Sequence, residues 1–197
     1  MFKKSLFIFS IFCSYLGSVW AFDLSQLTAQ LNQTPTLSGN FEQLKYLKGF
    51  PKPLKTLGTF TFWADHGIVW ETHKPFASKI VLTPSRLESI NNYQHQTFST
   101  ENNPHLALIN HLLIDLMQGD IKEIEKYFDI TLSGKANNWT MSLVPIDQNI
   151  KVVFEKIVIQ GAKEVRQLLF YAPNGDKTEI ALSDQHKPKS MPKDLQS

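Results

Sequence analysis

The histidines are the first residues to test for chemistry, because imidazole serves as both general base and metal ligand near neutral pH. His66 and His73 fall at neighbouring strand ends, and His105 and His111 are six residues apart. Two zinc ligands on one helix face need i,i+4 spacing, so neither pair reads as a metal site. No serine sits in the Gly-x-Ser-x-Gly turn of a hydrolase nucleophile. The only cysteine, Cys13, lies in an N-terminal segment expected to be removed, which leaves the mature chain without a thiol nucleophile or a disulfide. Glu42, Glu71 and Glu88 read as solvent-side strand residues, and nothing in their spacing points to a carboxylate pair for hydrolysis. Asn138-Trp139-Thr140 fits a glycosylation sequon by composition alone. The expectation is a protein that is not an enzyme and uses neither cofactor nor metal.

The chemistry that remains is apolar burial. From Gly39 to Leu82 the chain concentrates Phe41, Phe60, Phe62, Trp63, Trp70 and Phe76 among glycines and prolines. Phe60 and Phe62 alternate with Thr59 and Thr61, so on a strand the two rings share one face. Trp63 has the opposite parity and is expected on the outer face. Short aromatic strands separated by turn residues build an antiparallel sheet with one strongly apolar side.

The N-terminus addresses compartment. Lys3 and Lys4 precede an apolar run from Leu6 to Tyr15, and Val19-Trp20-Ala21 has the small-x-small form of a signal-peptidase site. Residues 1–21 are read as a cleaved secretory signal peptide. The run is shorter than the roughly 20 residues of a spanning helix, which disfavours an anchor. Phe12 is too bulky for a lipoprotein cleavage site before Cys13. Cleavage removes Lys3 and Lys4 from the 20 basic residues, which balances the 18 acidic ones. A net charge of about zero argues against a nucleic-acid partner and against an electrostatic membrane anchor for the chain as a whole. Lys45, Lys48, Lys52 and Lys55 are a local exception, read as a solvated edge that discourages edge-to-edge pairing. A secreted, disulfide-free chain with this signal suits a bacterial periplasm, and a monomer is expected.

The rest reads as one domain over 22–186. A short helix follows Asp23, with Leu24, Leu27 and Leu31 at helical spacing and Asp23 as cap. Strands are expected at 38–48, 56–64, 67–73, 78–83, 86–91 and 94–99. Asp65-His66-Gly67 makes a tight turn, and 49–55 the first hairpin loop. Asn103-Pro104 then opens a helix to about Met117, whose wide stripe includes Leu106, Leu108, Ile109, Leu112, Leu113 and Leu116. A shorter helix near Asp120–Lys126 precedes strands at 128–133, 138–144, 152–160, 165–172 and 177–182. The Lys- and Pro-rich tail 187–197 lacks periodicity and is expected to be mobile. About ten antiparallel strands cannot stay flat. The fold class is therefore mainly β: a strongly curved antiparallel sheet forming an open, incomplete barrel closed by helices.

At these residues the chain resembles the LolA outer-membrane lipoprotein carriers. Gly39-x-Phe41-x-Gln43 is similar to that family's first strand, Gly58-x-Phe60-x-Phe62 to its second, and Gly67-Ile68-Val69-Trp70 followed by Pro75-Phe76 to its third. The resemblance runs over about residues 23–183. It implies an apolar cavity that shelters acyl chains, an acylated lipoprotein or lipid as cargo, an inner-membrane donor complex and an outer-membrane acceptor. Two features depart from the family. Asp65 and His66 stand where many members have an Arg-Pro pair that helps hold and hand on cargo, so that role is not carried over. The family's final strand after residue 183 is replaced by the tail.

The expected cavity wall comprises Phe41, Phe60, Phe62, Trp70, Phe76, Ile80, Leu82, Leu112, Leu113 and Met117. Each of these is also a plausible core residue. The functional expectation is a periplasmic carrier of lipid or lipoprotein. The alternatives are a regulatory binding module of the same fold, and an enzyme acting on an apolar substrate.

Overall fold

The computed structural model describes residues 22–91, 93–101 and 104–196, with backbone alone for Pro104–Leu106 and Ile109. Residues 1–21, where the sequence places the signal peptide, lie outside the described residues. Helix α1 (Leu24–Leu31) is followed by strands β1 (Thr36–Tyr46), β2 (Leu54–Trp63), β3 (Gly67–Lys74), β4 (Ser78–Leu82), β5 (Arg86–Asn91) and β6 (His95–Ser99). Helices α2 (Pro104–Gln118) and α3 (Ile121–Ile124) come next. The chain then returns to strands β7 (Phe128–Lys135) and β8 (Asn138–Pro145), a helical turn α4 (Gln148–Lys151), and strands β9 (Lys156–Gly161), β10 (Val165–Tyr171) and β11 (Lys177–His186).

All strands join one antiparallel sheet in the order β6-β5-β4-β3-β2-β1-β11-β10-β9-β8-β7. Every neighbour pair is consecutive in sequence except β1–β11, where the two halves of the chain meet. The two edges, β6 and β7, do not pair, and the helices that connect them cross the open side. The result is a curved sheet that does not close into a barrel.

Register explains the apolar inner face. Leu82 lies opposite Ile68, Ile68 opposite Phe62, and Phe62 opposite Leu37. One rung further along, Ile80 faces Trp70 and Trp70 faces Phe60. On the other half, Leu168, Ile159, Met141 and Leu132 form a continuous rung across β10 to β7. Strand side chains alternate between faces, so this register places every such residue on the helix-covered side. Fully burying a large apolar side chain contributes about 1.5–3 kcal/mol, and Phe60, Phe62, Trp139, Met141 and Leu143 are each at most 1% exposed.

Gly58 is required where Phe41 crosses the ladder. It pairs with Phe41, and a Cβ there would run into the Phe41 ring and the Glu71 carbonyl oxygen. Helix α1 begins with a capping box: the Gln26 N–H donates to Asp23 Oδ1 at 2.8 Å, and the Asp23 N–H donates to Gln26 Oε1 at 3.1 Å. Its Leu27 and Leu31 are buried in the same inner core.

Three details differ from the sequence expectation. Residues 152–155 are not strand: Asp147 accepts the N–H groups of Asn149 and Ile150, which folds 148–151 into a turn and delays β9 to Lys156. Strand β11 continues to His186, past the expected end at 182, because β1 offers it partners as far as Ser38. The tail expected to be mobile is docked on the outer face. Its single 3-10 turn, Lys193–Leu195, buries Leu195 against Val69 and Val81 beside Trp63 and Met191. Lys79 Nζ reaches Asp194 Oδ2 at 3.1 Å, and Arg86 Nη2 donates to the Asp194 carbonyl at 3.3 Å. Trp63 thus lies on the outer face, as its parity requires.

Candidate apolar cavity

Helix α2 defines one end of the inner space. Its buried Asn110 donates through Nδ2 to the Thr83 carbonyl in the β4–β5 turn at 3.2 Å. At its other end Gln118 Oε1 accepts the Asp65 N–H in the β2–β3 turn at 2.8 Å. Gly119, at φ 74°, then turns the chain against Leu31 of α1. Both tethers are to turns at the same end of the sheet. The opposite end carries the β1–β2, β3–β4, β5–β6 and β10–β11 loops.

Between α2 and the sheet lies a cavity of about 370 Å³. Its size falls at the small end of the roughly 300–1,000 Å³ range of ligand pockets. Leu113, Leu116 and Met117 of α2 face it from one side. Ile68, Trp70, Ile80 and Leu82 line it from β3 and β4. Leu168, Phe170, Ile180 and Leu182 line it from β10 and β11, with Phe154 beside them. Gln43 and Thr178 are its only polar lining residues among those described. A guest there meets hydrocarbon on all protein sides and two hydrogen-bonding groups near the seam of β1 and β11. Ile80 is 39% exposed while Leu116 is 3% exposed, so the cavity opens away from α2 and towards the loop end. A separate hollow of about 320 Å³, lined by Asn32, Asp65, Gln118 and Asp120 among others, is polar and lies at the α2 end.

The ten residues that the sequence proposes for the wall divide into four groups. Trp70, Ile80, Leu82, Leu113 and Met117 line the cavity. Phe41 and Phe60 sit immediately behind it and hold Trp70 in place: the Phe41 and Trp70 rings stack at 4.1 Å, and Phe60 lies at 5.9 Å from Trp70. Phe62 and Leu112 are closed into the core, at 1% and 4% exposed. Phe76 does not belong to the wall: it is 82% exposed in the β3–β4 loop, beyond the last ladder pair of that hairpin.

Sequence reasoning missed the β10 and β11 contributions. The signal was present as Leu168 and Phe170, and Ile180 and Leu182, each pair at strand spacing. What concealed it was the distance in sequence to the aromatic strands they join across the seam. Leu116 belongs to the helical stripe and Ile68 to the Gly67–Trp70 motif, yet the expected wall contains neither.

The titratable groups lie apart from the cavity. Glu42 pairs with Lys55 at 2.8 Å and Glu71 with Lys79 at 3.2 Å on the outer face. Glu88 is bound by Arg86 and by His95, and the Arg86 hydrogen bond foremost holds its carboxyl below the usual range. His66 Nδ1 lies 2.9 Å from the Ala64 carbonyl, and His73 Nε2 3.2 Å from Thr59 Oγ1. No group of three metal-ligating side chains occurs among the described residues. Among the described residues, Asp115 of α2 is the one carboxyl pushed strongly upward, to about 6. Burial is the main cause and the Asp120 charge the second, with His111 acting against them.

Against known proteins, the family model described as outer membrane lipoprotein carrier protein LolA-like matches residues 16–185. A LolA superfamily protein from Nitrosomonas europaea is 10% identical, with 87% of this chain and 96% of that one aligned at a TM-score of 0.45. A putative outer membrane lipoprotein-sorting protein domain from Vibrio parahaemolyticus is 13% identical, with 86% and 93% covered and a TM-score of 0.47. No curated protein matches the chain. Among the described residues, no helix is long and apolar enough to cross a membrane.

Proposed function

The chain belongs to the LolA-like outer membrane lipoprotein carrier family, and from that premise we propose that it is a periplasmic carrier. It shelters the acyl chains of a lipoprotein or lipid in the inner cavity and moves them between the inner and outer membranes. It exchanges cargo with an inner-membrane donor and an outer-membrane acceptor. It performs no covalent chemistry on the cargo.

The observation that carries this reading is the cavity between α2 and the β3–β4 and β10–β11 walls, apolar at all but two lining positions. A chain of about 16 carbons has about 13 kcal/mol of transfer energy at stake, at about 0.8 kcal/mol per methylene. No water-exposed passage survives that penalty, whereas exchange between bilayer and apolar cavity is nearly level. The cavity is small enough that a long chain fills it and extends through the open end beside Ile80. Met117 suits such a wall because its unbranched side chain adapts to irregular guests.

Titration of the purified protein with a fluorescent fatty acid tests the reading. Ile80→Asp places a charge at the half-exposed mouth, where folding tolerates it. Affinity should fall at least tenfold, the loss expected when one large apolar contact is removed. Unchanged affinity in a folded Ile80→Asp protein would refute the cavity assignment. Mass spectrometry of lipid released from the periplasmic protein identifies the cargo class.

A further inference from the structure

Three successive hairpins of the sheet end in an exposed aromatic ring, all at the loop end. Phe50 in the β1–β2 loop is 67% exposed, Phe76 in the β3–β4 loop 82%, and Tyr93 after β5 94%. Leu54, at the start of β2, adds a fourth apolar side chain at 55%. Isolated exposed apolar residues are ordinary. A row of three on adjacent hairpin tips, on the side where an apolar cavity opens, is a different pattern.

Charge follows the same geography. Lys45, Lys48, Lys52 and Lys74 are exposed at these tips. The sequence contains no Asp or Glu between Gln43 and Ala64, between Thr72 and Leu87, or between Ser89 and Thr100. The carboxylates nearest these three tips are paired, Glu42 with Lys55 and Glu71 with Lys79, as is Glu179 with Lys177 at 2.6 Å on the neighbouring β11, while the exposed Glu155 lies off the row, beside Tyr171 at the end of β10. Asp176, in the neighbouring β10–β11 turn, accepts the Lys48 N–H at 2.9 Å, and that bond foremost keeps its carboxyl below the usual range. A balanced chain therefore carries a locally basic row of hairpin tips that bear aromatic rings.

We propose that the loop end is a docking surface for an anionic phospholipid bilayer, with Phe50, Phe76 and Tyr93 entering the interface and Lys45, Lys48, Lys52 and Lys74 resting among the headgroups. Aromatic rings favour the headgroup boundary, and lysines near an anionic surface add attraction that salt weakens. Docking in this orientation turns the open side of the cavity towards the membrane, so an acyl chain passes between the two without crossing bulk water. A protein partner would be expected to bury such rings against a complementary patch. The basic tips of the three hairpins, whose loops hold no Asp or Glu, instead match the uniform negative charge of a lipid surface.

Vesicle flotation of the protein purified from the periplasmic fraction tests the proposal. The probes are vesicles of phosphatidylcholine alone and of phosphatidylcholine mixed with phosphatidylglycerol. The native protein should float with the mixed vesicles at low salt, and weakly with phosphatidylcholine alone. Replacing Lys48, Lys52 and Lys74 by Ser should weaken binding by about fivefold per lysine. The triple variant Phe50→Ser, Phe76→Ser, Tyr93→Ser should lose binding by about tenfold or more per ring. All three rings are surface residues, so the variant should keep the native melting temperature. Its fluorescent fatty-acid uptake in solution should also be unchanged. Failure of the native protein to float with the mixed vesicles, or undiminished flotation of the ring variant, would overturn the proposal. So would a requirement for these rings only in transfer to a protein acceptor. Flotation without fatty-acid uptake would count against the carrier reading and leave the docking surface standing.

Discussion

Replacing Asp115 by Asn should stabilise the protein at neutral pH and leave it nearly unchanged in acid. Asp115 lies on α2, and its carboxyl is pushed from an ordinary 3.8 to about 6, chiefly by burial and next by the Asp120 charge. The folded state therefore holds the proton more tightly than the unfolded chain. Stability is greatest while the group is protonated, falls as pH rises from about 4, and reaches its full penalty above about 6. A displacement of about two units corresponds to about 3 kcal/mol at most, at about 1.4 kcal/mol per unit. Asp115 is only partly buried, so solvent screening reduces the realised penalty to about 1–2 kcal/mol. Asn cannot ionise and avoids it. Urea denaturation of the two proteins across pH 4 to 7 measures the difference. With a slope of about 1–3 kcal/mol per molar, the Asn variant should unfold at about 0.5–1 M more urea at pH 7, and at about the same concentration at the acid limit. A difference independent of pH, or one that favours Asp at neutral pH, would refute the reasoning.

Other outcomes follow from specific contacts. Leu195→Asp should cost about 2–4 kcal/mol in chemical denaturation by undocking the tail from Val69 and Val81, while fatty-acid affinity stays within twofold because the tail lies on the outer face. Gly58→Ala should destabilise by about 2 kcal/mol or more and change the near-ultraviolet circular dichroism, since its Cβ displaces the Phe41 ring from Trp70. Phe76→Ser should change stability by less than about 0.5 kcal/mol and leave binding in solution intact, whereas Trp70→Ala should lower both.

Much of the architecture was legible because the strands here carry clear period-two signals and the turns carry glycine or proline. Phe60 and Phe62 against Thr59 and Thr61 fixed a face, and Trp63 fell on the opposite one, as the structure has it. Five of the fourteen lining residues of the cavity were equally readable, because they lie on the aromatic strands β3 and β4 and on the apolar stripe of α2. Five more come from β10 and β11, brought to β1 only by a pairing that joins the two halves of the chain, and no local pattern encodes that closure. Phe76 misled for the opposite reason: aromaticity marked it as wall, but it lies past the end of the β3–β4 ladder, where no strand directs it inward. The tail has no periodicity to read. Its position depends on one leucine meeting a patch made by three strands, together with an ion pair to Lys79.

The most direct test of an acyl-binding inner cavity is photocrosslinking with a fatty acid that carries a diazirine near its methyl end, followed by mapping of the labelled residues by mass spectrometry. Label should appear on Trp70, Met117, Phe170 and Ile180, and should be displaced by unlabelled fatty acid. Label confined to the outer patch of Trp63 and Met191, or none above background, would contradict the account.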